Sequence, residues 1–110
     1  MAYDEDLANR IRELLGSEPG VEEKRMFGGL AFLVNGNMSV AASGQGGLLV
    51  RASSDESDSL LKRDHVHPMV MGGRDVRGWL RVDAAGVRTK RQLQGWVNRG
   101  VGYARTLPPK

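Results

Sequence analysis

The spacing of apolar residues predicts a helix near the start of the chain. Within residues 4–15 the apolar positions recur at three- and four-residue intervals, which places them on one stripe of a helix. The stripe consists of Leu7, Ile11, Leu14 and Leu15. Asp4 is placed to cap the first turn, and Gly16 is a typical left-handed stop after the last one. We therefore expect an amphipathic first helix that packs on a core.

The pattern then changes to a period of two, which is typical of strands. Residues 30–34 form one apolar strand, and the Asn35-Gly36 pair after them is the strongest short signal for a tight hairpin turn. A two-residue loop predicts the cross-strand pairs Val34–Asn37, Leu33–Met38, Phe32–Ser39 and Ala31–Val40. One face of this hairpin is apolar throughout and is expected to be core. That face carries Ala31, Leu33, Met38 and Val40.

The rest of the chain continues with strands and ends in a helix. Strands are predicted over residues 48–51, 68–71 and 78–82, and a short helix over residues 55–63. The last helix begins at a capping box, Thr89-x-x-Gln92. The resulting order, α-β-β-β-α-β-β-α, predicts an α+β fold in which helices pack on an antiparallel sheet in two layers. From its length of 110 residues we expect a single domain over residues 1–110.

Composition excludes several classes of function. The chain has no cysteine, and therefore no disulfide framework, no thiolate zinc site and no cysteine nucleophile. No apolar run approaches the length of a membrane span and no charged-then-apolar leader opens the chain, so we expect a cytoplasmic protein without membrane contact. Charge is uneven: residues 1–60 hold 5 Lys/Arg against 10 Asp/Glu, and residues 61–110 hold 11 against 3. The basic half can attract phosphate backbones, or it can complement the acidic half of its own chain or of a second copy.

Features that often mark a reactive site are weak in this sequence. The pairs Gly28-Gly29 and Gly72-Gly73 lie beside basic residues. A phosphate-binding loop needs backbone N–H groups that converge at the start of a helix, whereas these pairs lead into strands or their turns, so we expect them to be turns and bulges. His65 and His67 would share one face of an extended segment, as metal ligands require. The spacing suggests no third ligand, and the alternative is that both histidines belong to a polar loop. Neither an activated serine nor a tuned carboxylate pair is recognisable. We expect no catalytic, metal or cofactor-binding residue and no enzyme activity.

The strongest surface feature is a basic stripe with an aromatic residue at its centre. Strand alternation over residues 76–82 separates apolar side chains from basic and aromatic ones. The basic and aromatic set, with one arginine from just upstream, is Arg74, Arg77, Trp79 and Arg81. Such a stripe can hold phosphates and stack a base, or it can anchor a protein partner. A third interpretation is an outer sheet face packed by cation–π contacts.

Three segments carry a family resemblance: KRMFGGLAFLVNGNM, then GGRxxxGWLRV, then WVxxGxxYARTLPPK. In this order they resemble the N-terminal domain of the TfoX/Sxy family, and in particular its short single-domain members. The resemblance implies a two-layer α+β fold similar to type III secretion chaperones. It also implies a relation to competence regulators that act on transcription. Those regulators have a second, helical domain, which we do not expect in this chain. It implies no catalytic or cofactor residues.

Together these observations predict a non-enzymatic regulatory or protein-interaction module. Its partner would be a protein, and no cofactor is expected. The alternative is direct nucleic-acid binding, with phosphates held by the basic stripe of Arg74, Arg77, Trp79 and Arg81.

One side of the hairpin is a candidate self-association surface. Leu30, Phe32 and Val34 point away from the predicted core, and leaving such side chains in water forgoes roughly 1.5–3 kcal/mol for each larger one. A second copy of the chain would cover them, and the opposite charges of the two halves favour such a homodimer. In the competing arrangement, the last helix or the C-terminal tail folds back over Phe32 within one chain.

Overall fold

The computed structural model describes residues 3–26, 28–44, 46–71 and 73–109, apart from the side chains of residues 71 and 75–77. The helices are α1 (Glu5–Leu14), α2 (Ser54–Leu60) and α3 (Lys90–Thr106), with a short 3₁₀ helix (Ala84–Val87) before α3. The strands are β1 (Val21–Met26), β2 (Gly29–Val34), β3 (Asn37–Ala42), β4 (Leu48–Arg51), β5 (Val66–Met71) and β6 (Arg74–Val82). The predicted order α-β-β-β-α-β-β-α is confirmed, with β1 as a further strand ahead of the hairpin.

The strands form a six-stranded sheet in the order β1-β2-β3-β4-β6-β5, and every neighbouring pair is antiparallel. Apolar residues from α1, α2 and α3 belong to one buried cluster with alternate residues of the strands. All three helices therefore lie on the same face of the sheet. This arrangement confirms the predicted two-layer α+β fold.

A row of paired residues shows how the strands build the core. Cross-strand partners share a face of the sheet, so pairing places one residue from each of five strands in line under the helices. That row is Leu30, Ala42, Leu48, Val82 and Val66. Each of the five is buried, and each belongs to the cluster that contains the helix residues.

The register of the central hairpin differs from the prediction beyond its first two pairs. Asn35 and Gly36 both have positive φ, 53° and 83°, as the expected tight turn requires. After Leu33–Met38 the register shifts, so that Phe32 pairs with Val40 rather than with Ser39. Ser39 is the extra residue of a β-bulge, and its hydroxyl donates to the carbonyl of Phe32 at 2.8 Å. An alternating pattern cannot reveal such an insertion, because the prediction places each residue of one strand opposite a single residue of the other.

The predicted self-association surface is wrong, because its residues form part of the main core. Leu30, Phe32 and Val34 are 5%, 1% and 0% exposed and pack in the cluster that includes residues of all three helices. The hairpin is apolar on both faces, so its own pattern could not decide which face the helices cover. The competing expectation is confirmed: the chain covers Phe32 internally, with α3 contributing to the cover.

Strand β1 was not predicted, because its sequence VEEKRM lacks the apolar alternation of a half-buried strand. It lies at one edge of the sheet, where charged side chains discourage pairing with other chains. Arg12 of α1 donates from two nitrogens to the two carboxylate oxygens of Glu23, each at 2.8 Å. The hydrogen bond from Arg12 lowers the pKa of Glu23 below its usual value. The edge strand is therefore tied to the first helix by a bidentate ion pair.

The predicted capping box at the start of α3 is confirmed. The Thr89 hydroxyl accepts from the backbone N–H of Gln92 at 3.1 Å, and the Gln92 side chain accepts from the backbone N–H of Thr89 at 3.0 Å. The helix continues through its three glycines to Thr106. None of the helices in the described part of the chain has the length and apolar character needed to cross a membrane.

Candidate interaction surfaces

The sheet face opposite the helices carries a second, smaller apolar cluster, and we call this surface the outer face. Its buried centre is Ala31, Met38, Ala41 and Leu49, and Met26, Leu33, Met69 and Trp79 pack around it. Strand pairing aligns one row across the whole sheet: Lys24, Ala31, Ala41, Leu49, Arg81 and His67. The row is apolar in the middle and basic towards both ends. The outer face thus has an apolar centre with cations towards both ends, and Glu22, which pairs with Leu33, adds one anion beside Lys24.

Two members of the predicted basic stripe, Trp79 and Arg81, come together on the outer face. The Trp79 ring is half-buried, and the guanidinium of Arg51 lies 5.1 Å from its centroid. The same guanidinium lies 5.6 Å from the centroid of the Tyr103 ring in α3. Sequence analysis missed Arg51, because it meets Trp79 only through the pairing of β4 with β6, strands separated by a helix and another strand. Trp79 therefore makes a cation–π contact, with Arg51 in place of an arginine of the stripe.

Arg81 is fixed by the loop between β3 and β4. Its guanidinium donates to the Ser43 hydroxyl at 3.2 Å and to the Gly46 carbonyl at 3.1 Å. The side chain lies beside Leu49, with which it is paired across strands. Arg81 is therefore a positioned cation at the edge of the apolar centre.

The other two arginines of the stripe precede Gly78, where the backbone of β6 departs from a regular strand. Gly78 has φ +85°, its N–H donates to the Ser57 hydroxyl at 3.1 Å, and its carbonyl accepts from Ala52 at 2.8 Å. At this bend the pairing of β5 with β6 also shifts register. Among the described side chains, residues 79–82 follow the regular alternation expected over residues 76–82. Arg74 is exposed beyond the bend, and the side chain of Arg77 lies outside the described residues.

His65 and His67 converge on one carboxylate. Nδ1 of His65 lies 3.1 Å from Oδ1 of Asp83, and Nε2 of His67 lies 3.1 Å from Oδ2. Oδ1 is screened from solvent and accepts no hydrogen bond from the described residues, although the Asp83 side chain as a whole is 44% exposed. Within the described ranges, no group of three or more His, Cys, Asp or Glu residues could hold a metal ion. The two histidines are thus joined through Asp83.

This contact predicts an acid-dependent loss of stability. The hydrogen bond from His67, followed by the charge of His65, lowers the pKa of Asp83 below its ordinary value. A carboxylate with a depressed folded-state pKa stabilises the fold above its unfolded pKa of about 3.9, and this contribution is lost as the pH falls through the lower folded value. We expect the stabilities of wild type and Asp83→Asn to converge as the pH falls below about 4. Urea unfolding at each pH measures this.

The control for that measurement is Asp64→Asn, at an exposed carboxylate without an ion pair in the described structure. Its difference from wild type should show no comparable convergence. A difference for Asp83→Asn that does not shrink as the pH falls below about 4 would contradict the ionic role of Asp83.

A cleft of about 500 Å³ lies between the segment that follows α2 and the first half of α3, and we call it the α2–α3 cleft. Arg63, His65, Arg91, Gly95, Trp96 and Arg99 are among its lining residues. The guanidiniums of Arg63 and Arg99 lie 5.5 and 6.0 Å from the Trp96 ring centroid. Sequence analysis missed this site, since its residues come from separate elements and only the DHVH motif at residues 64–67 lay near it.

Comparison with known proteins gives one family match. The model of the family described as the TfoX N-terminal domain matches residues 13–104. No curated protein and no solved structure gives a significant match.

Proposed function

Since the chain belongs to the TfoX N-terminal domain family, we propose that it is a non-enzymatic regulatory module that binds an acidic protein partner on its outer face. The observation that carries this proposal is the row across the sheet, which has an apolar centre and cations towards both ends. Among the described elements, every helix packs on the other face. An interface of this kind suits a partner with an apolar segment flanked by carboxylates.

The charges on the outer face disfavour a second copy as the occupant. If two copies packed face to face, the cations of one copy would approach those of the other, and Glu22, which pairs with Leu33 on this face, would offset only one of them. Like charges in contact cost several kcal/mol in an interface, by order of magnitude. An acidic partner instead gains from Lys24, Arg51 and Arg81 together. Homodimer formation is therefore an outcome to be tested against the proposal.

Nucleic acid is the other alternative, and Trp79 gives it little support. Base stacking needs an accessible ring face, whereas Arg51 already lies over Trp79 at 5.1 Å. Phosphate contacts alone would give binding that falls steeply with salt and is lost after nuclease treatment of the bound material.

Partner capture with three immobilised variants tests the proposal. Lys24→Glu reverses one outer-face charge and Trp79→Ala removes the aromatic ring, whereas Lys90→Glu makes the same charge change on α3 as a matched control. We expect wild type and Lys90→Glu to retain an acidic protein. Its binding should be at least about tenfold weaker to Lys24→Glu or Trp79→Ala, because each loses an anchor of the interface. The purified partner should then bind in reconstitution.

Three results would count against this function. Capture of the same proteins by all variants would show that the outer face does not bind them. Material released by nuclease would favour nucleic acid. A particle mass of twice 12.0 kDa that Lys24→Glu changes would favour self-association through this face.

A further inference from the structure

Three arginines line the α2–α3 cleft, and one of them, Arg99, is paired with Glu56. Arg12, Arg99 and Arg105 each form an ion pair with a glutamate. For Arg63 and Arg91, by contrast, the described residues provide no ion pair, and both residues line the cavity together with one acidic residue, Asp64. Guanidiniums directed into a shared cavity are typical of sites that bind carboxylates or phosphates.

Arg91 lies where a cation is unfavourable unless an anion accompanies it. It belongs to the first turn of α3, which has no acidic residue and begins with Lys90. The N-terminal end of a helix carries a partial positive charge, so cations there are destabilising and anions are favoured. An anion in the cleft would therefore be attracted by both the arginines and the helix.

The floor of the cleft is kept open by a glycine that packing does not require. No atom lies within 4 Å of the position that a Cβ at Gly95 would occupy. Glycine within a helix costs about 1 kcal/mol relative to alanine. A residue that breaks a local preference without a packing gain is expected at functional positions. Gly95 lines both the α2–α3 cleft and the neighbouring depression, so a large side chain there would take up space beside the cleft.

From this geometry we propose that the α2–α3 cleft binds a small phosphate-bearing molecule, held by Arg63 and Arg91. The volume of about 500 Å³ suits a ligand of mononucleotide size. Trp96 is only 8% exposed and lies beneath two guanidiniums, so it orients the arginines and does not offer a stacking surface for the bases of a strand. This site is separate from the outer face and goes beyond the protein-binding function.

Trp96 provides a direct reporter of binding in a Trp79→Phe background, where it is the remaining tryptophan. The probes are inorganic phosphate, glycerol 3-phosphate and adenosine monophosphate. We expect a saturable change of fluorescence with at least one ester. Its Kd should rise at least about tenfold in Arg63→Gln and in Arg91→Gln, because losing a hydrogen bond to a charged group weakens binding by about this factor. Lys62→Gln and Lys90→Gln remove the same charge outside the cleft lining and should change Kd less than about twofold.

A pair of glycine variants separates a blocked cleft from a damaged fold. Both Gly95 and Gly102 have open space at the Cβ position, but only Gly95 lines the α2–α3 cleft, and Gly102 lines a neighbouring depression. We expect Gly95→Leu to keep or raise the Tm while abolishing ester binding, and Gly102→Leu to keep both.

Several outcomes would overturn the proposal. They are the absence of saturable binding by any probe, equal losses in the arginine variants and their lysine controls, and undiminished binding in a folded Gly95→Leu protein. Binding of a single-stranded oligonucleotide at least about a hundredfold tighter than the esters, through the same arginines, would assign the cleft to nucleic acid instead. Partner capture on the outer face should be unaffected by all cleft variants, so the two proposals fail separately.

Discussion

Replacing Phe32 by alanine is expected to lower the free energy of unfolding by about 3–5 kcal/mol, the range for removing a buried phenylalanine. Phe32 is 1% exposed and is among the largest fully buried side chains of the described structure. Its ring belongs to the cluster that joins the sheet to all three helices, so a cavity there would loosen both layers at once. Urea unfolding followed by circular dichroism measures the change.

Two neighbouring substitutions control for this effect. Leu33→Ala alters the adjacent, partly exposed residue on the outer face, and Val70→Ala alters a side chain that is 56% exposed. We expect a smaller loss for Leu33→Ala, and a change within about 0.5 kcal/mol for Val70→Ala. If Phe32→Ala leaves the stability unchanged but changes the particle mass, Phe32 lies instead at an interface between two copies of the chain.

Replacing Gly100 by leucine is expected to produce the second large loss of stability. A Cβ at this position would lie 2.5 Å from the Ser39 carbonyl oxygen and 2.8 Å from Cγ1 of Val40, so α3 approaches β3 too closely for any side chain. Overpacking a core costs roughly 1–3 kcal/mol and occasionally more. We expect at least the upper end of this range, because the nearest atom is backbone and cannot rotate away. The removal of a helical glycine returns only about 1 kcal/mol.

Gly102→Leu and Gly95→Ala are the matched controls in the same helix. Neither position has an atom within 4 Å of the added Cβ, so both variants should be neutral or stabilising, by up to about 1 kcal/mol for the alanine. Thermal unfolding of the three proteins measures the contrast. Equal stability of Gly100→Leu and Gly102→Leu would show that α3 can move away from the sheet without loss.

The bulge at Ser39 accounts for the close approach of α3 to β3. The carbonyl that limits Gly100 belongs to Ser39, the residue that the regular hairpin register could not accommodate. The bulge also brings Val40 into pair with Phe32 and into the helix-covered core. One inserted residue therefore decides both the register of the hairpin and the contact with the helix.

The sequence alone determined the elements whose signals are local. Asn35-Gly36 specified the hairpin turn, Thr89 and Gln92 specified the start of α3, and helical spacing specified α1. Each depends on hydrogen bonds or periodicity within a few residues, so no distant partner is needed to predict it. Their order along the chain was then sufficient to predict the two-layer α+β class.

Only the tertiary structure decided which residues meet. The hairpin is apolar on both faces, so the choice between Phe32 and Leu33 for the main core depended on where the helices pack. The charged strand β1 is held by pairing with β2 and not by its own pattern. The α2–α3 cleft likewise joins Arg63 to Arg91, from segments whose separation along the chain gives no sign that they meet. Long-range pairing and helix placement follow from the free energy of the whole core, which no short stretch of sequence contains.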